Sequence, residues 1–420
     1  MKTRRATVSF KTVGCRLNQA ETAVIRASFE EAGFATGRFG EACDVCVIHG
    51  CVVTSKAEED SLRLARSIKH RYPDVFVILA GCAAELLKSE NRDLQTNANY
   101  LASQTEKFNL PEILGKRFQT SEKQVTELLP RFNTQRAIVK IQDGCDFHCA
   151  YCIVPRVRGT ARSRPAPEII EEISKLTLCG FPEVVLTGAN IGCYAEGSCR
   201  LPQLLEKIEA ISSLQRFRIS SLEIVSVERE VIDFMASSKK MCQFLHLPMQ
   251  SGSDKILKAM GRPYTAKQFS AVIQYAQTKV GRIGLGTDII VGFPGETEDD
   301  FIATEQIVRN LPFSKLHVFN YSPRPGTPAS SMPEQVPAKE KEMRSARLIE
   351  LGRQKRNQFA RSLVGKQACI LVEKTMPDGW AEGWTGEYIR ARIHGTGLKP
   401  KQIVEFAGES TVDDILVGTL

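Results

Sequence analysis

Nowhere in these 420 residues does an apolar run approach the roughly 18–20 residues needed to cross a bilayer. The basic start, Met1-Lys-Thr-Arg-Arg5, leads into no continuous apolar segment, so no secretory leader is expected. The thirteen cysteines are odd in number, and without a leader a disulfide framework is not expected. A cytoplasmic protein with reduced thiols is the reading. Its tightest cysteine cluster also lacks the paired second half that a structural zinc site usually has. What is present is 42% hydrophobic and 25% charged, the composition of a soluble globular protein. The length calls for two or three domains. The net charge is +8, from 56 basic and 48 acidic residues. Lys339 to Lys366 carry nine Lys or Arg against three Glu, a net +6. Such a stretch is either a solvated helix face or a contact for nucleic-acid phosphates, and charge alone does not decide.

The tight cluster is Gly144-Cys-Asp-Phe-His-Cys-Ala-Tyr-Cys152. Its C-x-x-x-C-x-x-C spacing offers Cys145, Cys149 and Cys152 as three thiolates from one loop. A cubane [4Fe–4S] cluster normally takes four cysteines, so three leave one iron open to a small molecule. His148 could complete a zinc site instead, but only from within the same short loop.

The first hundred residues repeat one pattern three times. A β-type run, Thr7 to Val13, ends at Gly14-Cys15 before a helical run, Glu21 to Ala32. Val45 to Ile48 ends at Gly50-Cys51 before the helical Ala57 to His70. Val75 to Ala80 ends at Gly81-Cys82 before a third helical stretch. Alternating strands and helices predict a parallel sheet, with ligands bound outside the carboxyl ends of the strands. Cys15, Cys51 and Cys82 all fall there, which makes them candidates for a second three-thiolate cluster site. The bland alternative is that they are small residues packed at strand ends.

Residues 103–135 read as an irregular linker with a short helix, carrying Pro111 and Pro130. A strand, Ala137 to Ile141, then feeds the Cys145 loop. Further strands are expected at Val184–Thr187, Phe217–Ser220, Phe244–Leu247, Leu285–Val291 and Leu316–Asn320. Helices such as Ala166–Cys179, Leu204–Ser212 and Phe301–Asn310 separate them. Six strands with crossovers fit an incomplete (β/α)6 barrel whose site lies at the carboxyl ends of its strands. From Gly365 onward, short β-type runs (Ala368–Glu373, Tyr388–Ile393, Gln402–Phe406) predict a small all-β barrel.

With both triads in place, the chain resembles the radical S-adenosylmethionine (SAM) methylthiotransferases along its whole length. Gly14-Cys15-Arg16-Leu17-Asn18, Cys51-Val-Val-Thr54 and Gly81-Cys82-Ala-Ala resemble the family's amino-terminal cluster motifs. Gly144 to Arg164 resembles its SAM-cluster loop, and Gly383-Trp384-Thr385 with Tyr388 its RNA-binding TRAM domain. The implied architecture is α/β. A flavodoxin-like parallel-sheet domain (1–102) and a linker (103–135) precede a radical-SAM barrel (136–364) and a TRAM-like barrel (365–420). Two [4Fe–4S] clusters are implied, on Cys145, Cys149 and Cys152 and on Cys15, Cys51 and Cys82.

SAM contacts are expected at successive strand ends. Tyr151 is placed beside the adenine, and Thr187 and Gly188 resemble the segment that receives the SAM amino group. Ser221 and Glu223 offer polar groups to the ribose or methionyl part. Asp288 and Gly292, Phe293, Pro294, Gly295 and Glu296 resemble the motif lining the adenine. Taken singly, each Gly-Pro segment is also simply a turn.

In the mechanism the resemblance implies, the SAM cluster generates a radical that takes hydrogen from an aromatic C–H. The second cluster holds a sulfur that one SAM methylates before delivery, so two SAM are consumed. Arg218 to Glu223, His246 to Ser253 and His317 to Ser322 look most like the type acting on N6-threonylcarbamoyladenosine at C2, next to the tRNA anticodon (adenosine 37). Isopentenyladenosine tRNA or a ribosomal protein is the alternative substrate. The expected partners are a tRNA anticodon stem-loop, a low-potential donor of flavodoxin or ferredoxin type, and a sulfur donor, with the chain a monomer away from membranes. A non-catalytic iron–sulfur RNA-binding protein or redox sensor would share the clusters but not the SAM-lining ends. Two departures concern the second triad: His49-Gly50 replaces the usual Asn-Thr, and Glu85 replaces the usual Gln. Cys43 and Cys46 form a C-x-x-C whose members strand geometry should turn to opposite faces. Packing or incidental roles are expected for them and for Cys179, Cys193, Cys199, Cys242 and Cys369.

Overall fold

Each amino-terminal cysteine of the proposed triad stands just beyond a strand of a parallel sheet. The computed structural model describes residues 5–92, 95–115, 117–118, 129–130, 132, 134–226 and 229–420. Its first sheet holds β1 (Thr7–Thr12), β2 (Ala35–Thr36), β3 (Val45–Gly50), β4 (Phe76–Gly81) and β5 (Tyr100–Ala102), in the order β2-β1-β3-β4-β5. All of β3 is buried, as a strand covered on both faces must be. Helices Arg16–Glu31, Ser55–Arg71 and Cys82–Ser89 make the crossovers.

The three expected repeats are present, with shifted edges. The first helix begins at Arg16 rather than Glu21, because Cys15 itself occupies the N-cap and Leu17, Ala20 and Ala23 already bury the inner face. Cys82 opens the third helix directly. Cys43 precedes β3, so strand alternation does not govern it; both Cys43 and Cys46 sit beside the Ser9 hydroxyl. The expectation of opposite faces is corrected there. The expected linker falls partly outside the described residues; a short helix, Leu110–Leu114, carries Pro111 in its first turn.

The middle of the chain supplies six parallel strands around one core. β6 (Ala137–Lys140) leads into a two-stranded ribbon, β7 (Gln142–Asp143) with β8 (Arg162–Ser163), and then to β9 (Glu183–Thr187). A small hairpin, β10 (Ala195–Glu196) with β11 (Cys199–Arg200), precedes β12 (Arg216–Ile219). β13 (Phe244–His246), β14 (Gly284–Val291) and β15 (Lys315–Asn320) follow. They form two three-stranded sheets, β12-β9-β6 and β13-β14-β15, joined by a parallel bridge between Phe217 and Met241. That is the open six-stranded barrel. The helix Ala338–Arg361 packs along β15 and holds most of the basic run. Its charges are largely engaged: Arg344 is buried against Glu296 and Glu340, Arg347 meets Glu298 and Glu305, and Arg356 meets Asp414.

The last strands, β16 (Gln367–Thr375), β17 (Trp380–Thr385), β18 (Arg390–His394), β19 (Ile403–Val412) and β20 (Ile415–Thr419), close into a barrel. β17 and β20 were not expected from the sequence. Tyr388 lies in the turn before β18, at φ +65°, and not within a strand. This barrel abuts the amino-terminal ends of the larger barrel's strands. There buried Glu183 pairs with Arg136, Arg216 and Arg218, and the last two donate to the carbonyls of Trp384 (3.0 Å) and Gly386 (2.8 Å). Among the described residues, no helix is long and apolar enough to cross a membrane.

Candidate metal centres and cofactor pocket

The topology brings Cys15, Cys51 and Cys82 together at the carboxyl edge of the first sheet. They are close enough for each charge to act on the others. The approach is tight at Gly14, where φ is +95° and a Cβ would lie 2.4 Å from the Cys51 Cβ and 2.6 Å from its Sγ. Cys15 caps one helix and Cys82 begins another, and helix amino termini favour thiolates. Without a metal, burial pushes the Cys51 thiol up to about 11 and raises Cys82 as well. Such groups become thiolates when a cation binds.

Around this triad lies a buried charge network. Glu21, 1% exposed, meets Lys107 at 2.7 Å, Lys140 at 2.9 Å and Arg158 at 3.1 Å. Burial works to raise its carboxyl, but Arg158, Lys107 and Lys140 outweigh it and hold it well below the usual range. Arg158 also donates to Asn18 Oδ1 at 2.7 Å, and Asn18 Nδ2 donates to the carbonyls of Val13 and Gly50. The two departures from the family pattern both belong to this shell. Burial pushes His49 down to about 3, so its ring is neutral. Glu85 accepts from the Gln104 backbone N–H at 2.9 Å, and Gln104 Nε2 meets Cys82 Sγ at 3.3 Å.

The second triad is built by one loop. Cys145 N–H donates to the Gly159 carbonyl, Cys152 N–H to that of Cys149, and Ala150 N–H to that of Met260. Gln142 ties this loop to the next strand end: its Nε2 donates to the Gly144 carbonyl at 2.7 Å, and its Oε1 accepts from Asn190 N–H at 2.8 Å. Burial pushes Cys152 up to about 12 and also raises Cys145. Arg262 Nη1 lies 3.2 Å from Cys149 Sγ, and its other arm pairs with Glu223.

Neither triad draws its three sulfurs as close together as a single tetrahedral ion requires. A tetrahedral zinc would draw its sulfurs to about 3.8 Å of one another. Among the described residues, the only three His, Cys, Asp or Glu with ligand atoms all within 4.8 Å are His246, Asp288 and His317. The helix Val154–Arg158 links the two triads. It leaves Cys152, packs Ile153 and Val157 into one apolar cluster with Cys82, and ends with Arg158 on Asn18 and Glu21.

The other candidate residues separate into groups. Tyr151 packs against a small buried cluster that includes Ala150, Met260 and Phe293, so the loop and the Gly292–Glu296 segment contribute to one apolar cluster. Thr187 is buried at the end of β9, and Gly188 lies against Gln142. Ser221 is exposed beyond β12, two residues before the Glu223–Arg262 pair. Pro294 lies between Phe293 and Gly295, whose N–H donates to the Glu334 carbonyl. Glu296 turns back onto Gly292 N–H at 3.1 Å and onto Arg344, which commits its carboxylate to the fold. Asp288 lies within the barrel with one oxygen shared by His246 Nε2 (2.8 Å) and His317 Nδ1 (3.1 Å). Neither histidine was singled out as a site residue from sequence. Their spacing with Asp288 carries no local motif, because three different strands supply them.

Residues 139–308 match the Radical SAM superfamily, and residues 7–103 match the uncharacterized protein family UPF0004. The chain is 32% identical over 400 residues to threonylcarbamoyladenosine tRNA methylthiotransferase MtaB of Thermotoga maritima, covering 93% of this chain and 92% of that protein. Its identity to the Bacillus subtilis protein of the same name is 34%, covering 93% and 91%. It is also 36% identical to tRNA-2-methylthio-N(6)-dimethylallyladenosine synthase of Carboxydothermus hydrogenoformans, covering 81% and 82%. In fold it is similar to the radical S-adenosylmethionine methyltransferase TsrM of Kitasatospora setae. That likeness has a TM-score of 0.57 at 12% identity, over 78% of this chain and 77% of that one.

Proposed function

This chain belongs to the radical-SAM tRNA methylthiotransferases, and from that premise we propose that it places a methylthio group on C2 of N6-threonylcarbamoyladenosine beside the anticodon, adenosine 37. Two SAM are consumed in this reading: one gives the methyl group, and the other takes the hydrogen that leaves C2. The observation that carries it is the direct link between two separate cysteine triads through Ile153, Val157 and Arg158. A redox sensor or simple RNA-binding protein has no need of two such sites leaning on each other.

Cys145, Cys149 and Cys152 would hold the SAM-binding cluster, and Cys15, Cys51 and Cys82 the sulfur-carrying one. Bound there, the clusters supply one-electron cleavage of SAM and a carrier for sulfur, which no side chain can do alone. The chain's own residues shape both places. Arg262 donates to the Cys149 sulfur and is balanced by Glu223. Gln104 donates to the Cys82 sulfur. In this reading Tyr151 would pack beside the adenine, Thr187, Gly188 and Ser221 would offer contacts from the ends of β9 and β12, and Asp288 would act from within the barrel. Residues 1–102 would carry the sulfur site, 136–364 the radical site and 365–420 an RNA contact. A low-potential electron donor and a sulfur donor complete the system.

The test is mass spectrometry of tRNA nucleosides from a deletion strain. Loss of 2-methylthio-N6-threonylcarbamoyladenosine with return of its unmethylthiolated precursor supports the reading; persistence of the methylthiolated nucleoside sinks it. Anaerobic reconstitution with SAM and dithionite should also release 5′-deoxyadenosine.

A further inference from the structure

Beneath the Asp288 cluster, two cations, Lys315 and Arg16, have no carboxylate partner among the described residues. Lys315 and His317 are two apart on β15 and so share its inner face. The Lys315 ammonium lies 4.2 Å from the Tyr388 ring centre, with Trp384 stacked behind at 4.7 Å. From the other side Arg16, next to Cys15, donates to Tyr388 Oη at 2.5 Å. Arg136 and Arg218 also face this ring, but both share Glu183. Burial would raise the Tyr388 phenol, yet these four cations hold it below its ordinary value. Burial and the neighbouring Arg16 lower Lys315. The place is thus a half-buried cluster of positive charge around one phenol, supplied by three parts of the chain.

Half-buried charge without a counter-ion is unfavourable unless a ligand supplies one. We infer that Arg16, Lys315 and Tyr388 receive the carboxylate of the substrate adenosine's N6 substituent, below His317, and so select an anionic substituent over a hydrocarbon one. This rests on the proposed function. Threonylcarbamoyl ends in a carboxylate and a hydroxyl, whereas dimethylallyl is all hydrocarbon. Unpaired cations therefore attract the first and penalise burial of the second, so one feature gives both affinity and exclusion. Arg16 adjoins Cys15, which puts this cation cluster next to the thiol triad that would deliver sulfur. The His317 Nε2, with Nδ1 engaged by Asp288, is left to meet the hydroxyl.

The experiment uses the reconstituted full chain and anticodon stem-loops bearing threonylcarbamoyladenosine, its methyl ester, or isopentenyladenosine. Binding is read by fluorescence anisotropy and product by mass spectrometry. The unaltered chain should bind the free acid about tenfold to a hundredfold tighter than the ester, the range for a charge-assisted contact. Lys315→Met and Arg16→Gln should each bring the affinity for the acid down toward that for the ester, erasing most of that preference. Equal affinity of the unaltered chain for acid and ester overturns the inference without any question of variant folding. So does an equal loss for acid and ester in the variants, which would mark these residues as phosphate contacts. In either case methylthiolation of the threonylcarbamoyl loop would leave the functional reading standing. Methylthiolation of the isopentenyl loop alone would overturn both.

Discussion

Cys145, Cys149 and Cys152 come from one eight-residue stretch, whereas Cys15, Cys51 and Cys82 come from three strand ends spread over 68 residues. The first triad is set mainly by its own loop, where Cys145 N–H bonds Gly159 and Cys152 N–H bonds Cys149, and Met260 anchors it from outside through the Ala150 N–H. The second exists only if the parallel sheet pairs in register, with Gly50 opposite Gly81 and Thr12 opposite His49. Their electrostatics differ too. One sulfur of the loop triad meets a guanidinium balanced by Glu223, while the sheet triad borders a buried network of Glu21, Arg158, Lys107 and Lys140. A site made by a loop tolerates change elsewhere in the fold; a site made by topology does not.

The sharpest test removes one thiol from each. Cys152→Ala should abolish 5′-deoxyadenosine formation entirely. Cys82→Ala should keep SAM cleavage but make no methylthio product, with bound iron falling from about eight to about four per chain. If Cys82→Ala also ends SAM cleavage in a folded protein, the two triads do not have separate roles.

Next in size is the residue that joins them. Arg158→Met removes a buried guanidinium from Glu21, Asp143 and Asn18. Losing one partner of a buried pair costs about 3 kcal/mol or more, read as a lower denaturation midpoint of the amino-terminal unit. The pH dependence has a definite sign. Because the Glu21 carboxyl is held below its ordinary value of 4.5, its contribution is complete above that pH and is lost as the pH falls through the lower folded value. Glu21→Gln should therefore flatten the acid limb of a stability–pH curve measured below pH ~4.5. An unchanged acid limb would mean that the network carries little of the stability.

These contrasts also explain what could be read from sequence. The loop triad is a spacing, and spacing is visible in a string of letters. The sheet triad was legible because each cysteine follows a glycine and a β-type run, so topology could be inferred from repetition. The barrel's six strands were likewise visible as apolar runs, although Arg216 and Glu183, charged yet buried on Glu183–Arg pairs, hid the true starts of β12 and β9. The His246–Asp288–His317 group and the Arg16–Lys315–Tyr388 cluster were not legible in the sequence, since their members lie 29 to 372 positions apart. β17 and β20 went unseen because glycines interrupt their apolar alternation at Gly383 and Gly418.

A smaller effect is expected from one methyl group placed beside each triad. Gly14→Ala forces a side chain onto φ +95° and into Cys51, whereas Gly261→Ala meets nothing closer than the His148 carbonyl at 3.1 Å. Positive φ alone costs about 1–2 kcal/mol. Gly14→Ala adds a collision on a ligand, so iron content should fall toward half with SAM cleavage retained. Gly261→Ala should lower stability by about 1–2 kcal/mol with both clusters present. Equal iron loss in the two variants would erase the distinction between a topological and a local site.

The finest comparison concerns single donors to sulfur. Gln104 gives Cys82 a neutral N–H at 3.3 Å, whereas Arg262 gives Cys149 a charged one at 3.2 Å. Hydrogen bonds to cluster sulfurs and nearby positive charge both favour the reduced, more negative state, so removing either lowers the reduction potential. The charged donor should matter more, because charge-assisted bonds are about twice as strong as neutral ones. Redox titration followed by electron paramagnetic resonance should therefore find a larger downward shift for Arg262→Leu at the SAM cluster than for Gln104→Leu at the other. Equal shifts would mean that Glu223, paired to Arg262, cancels its charge at the sulfur and leaves the two donors electrically alike.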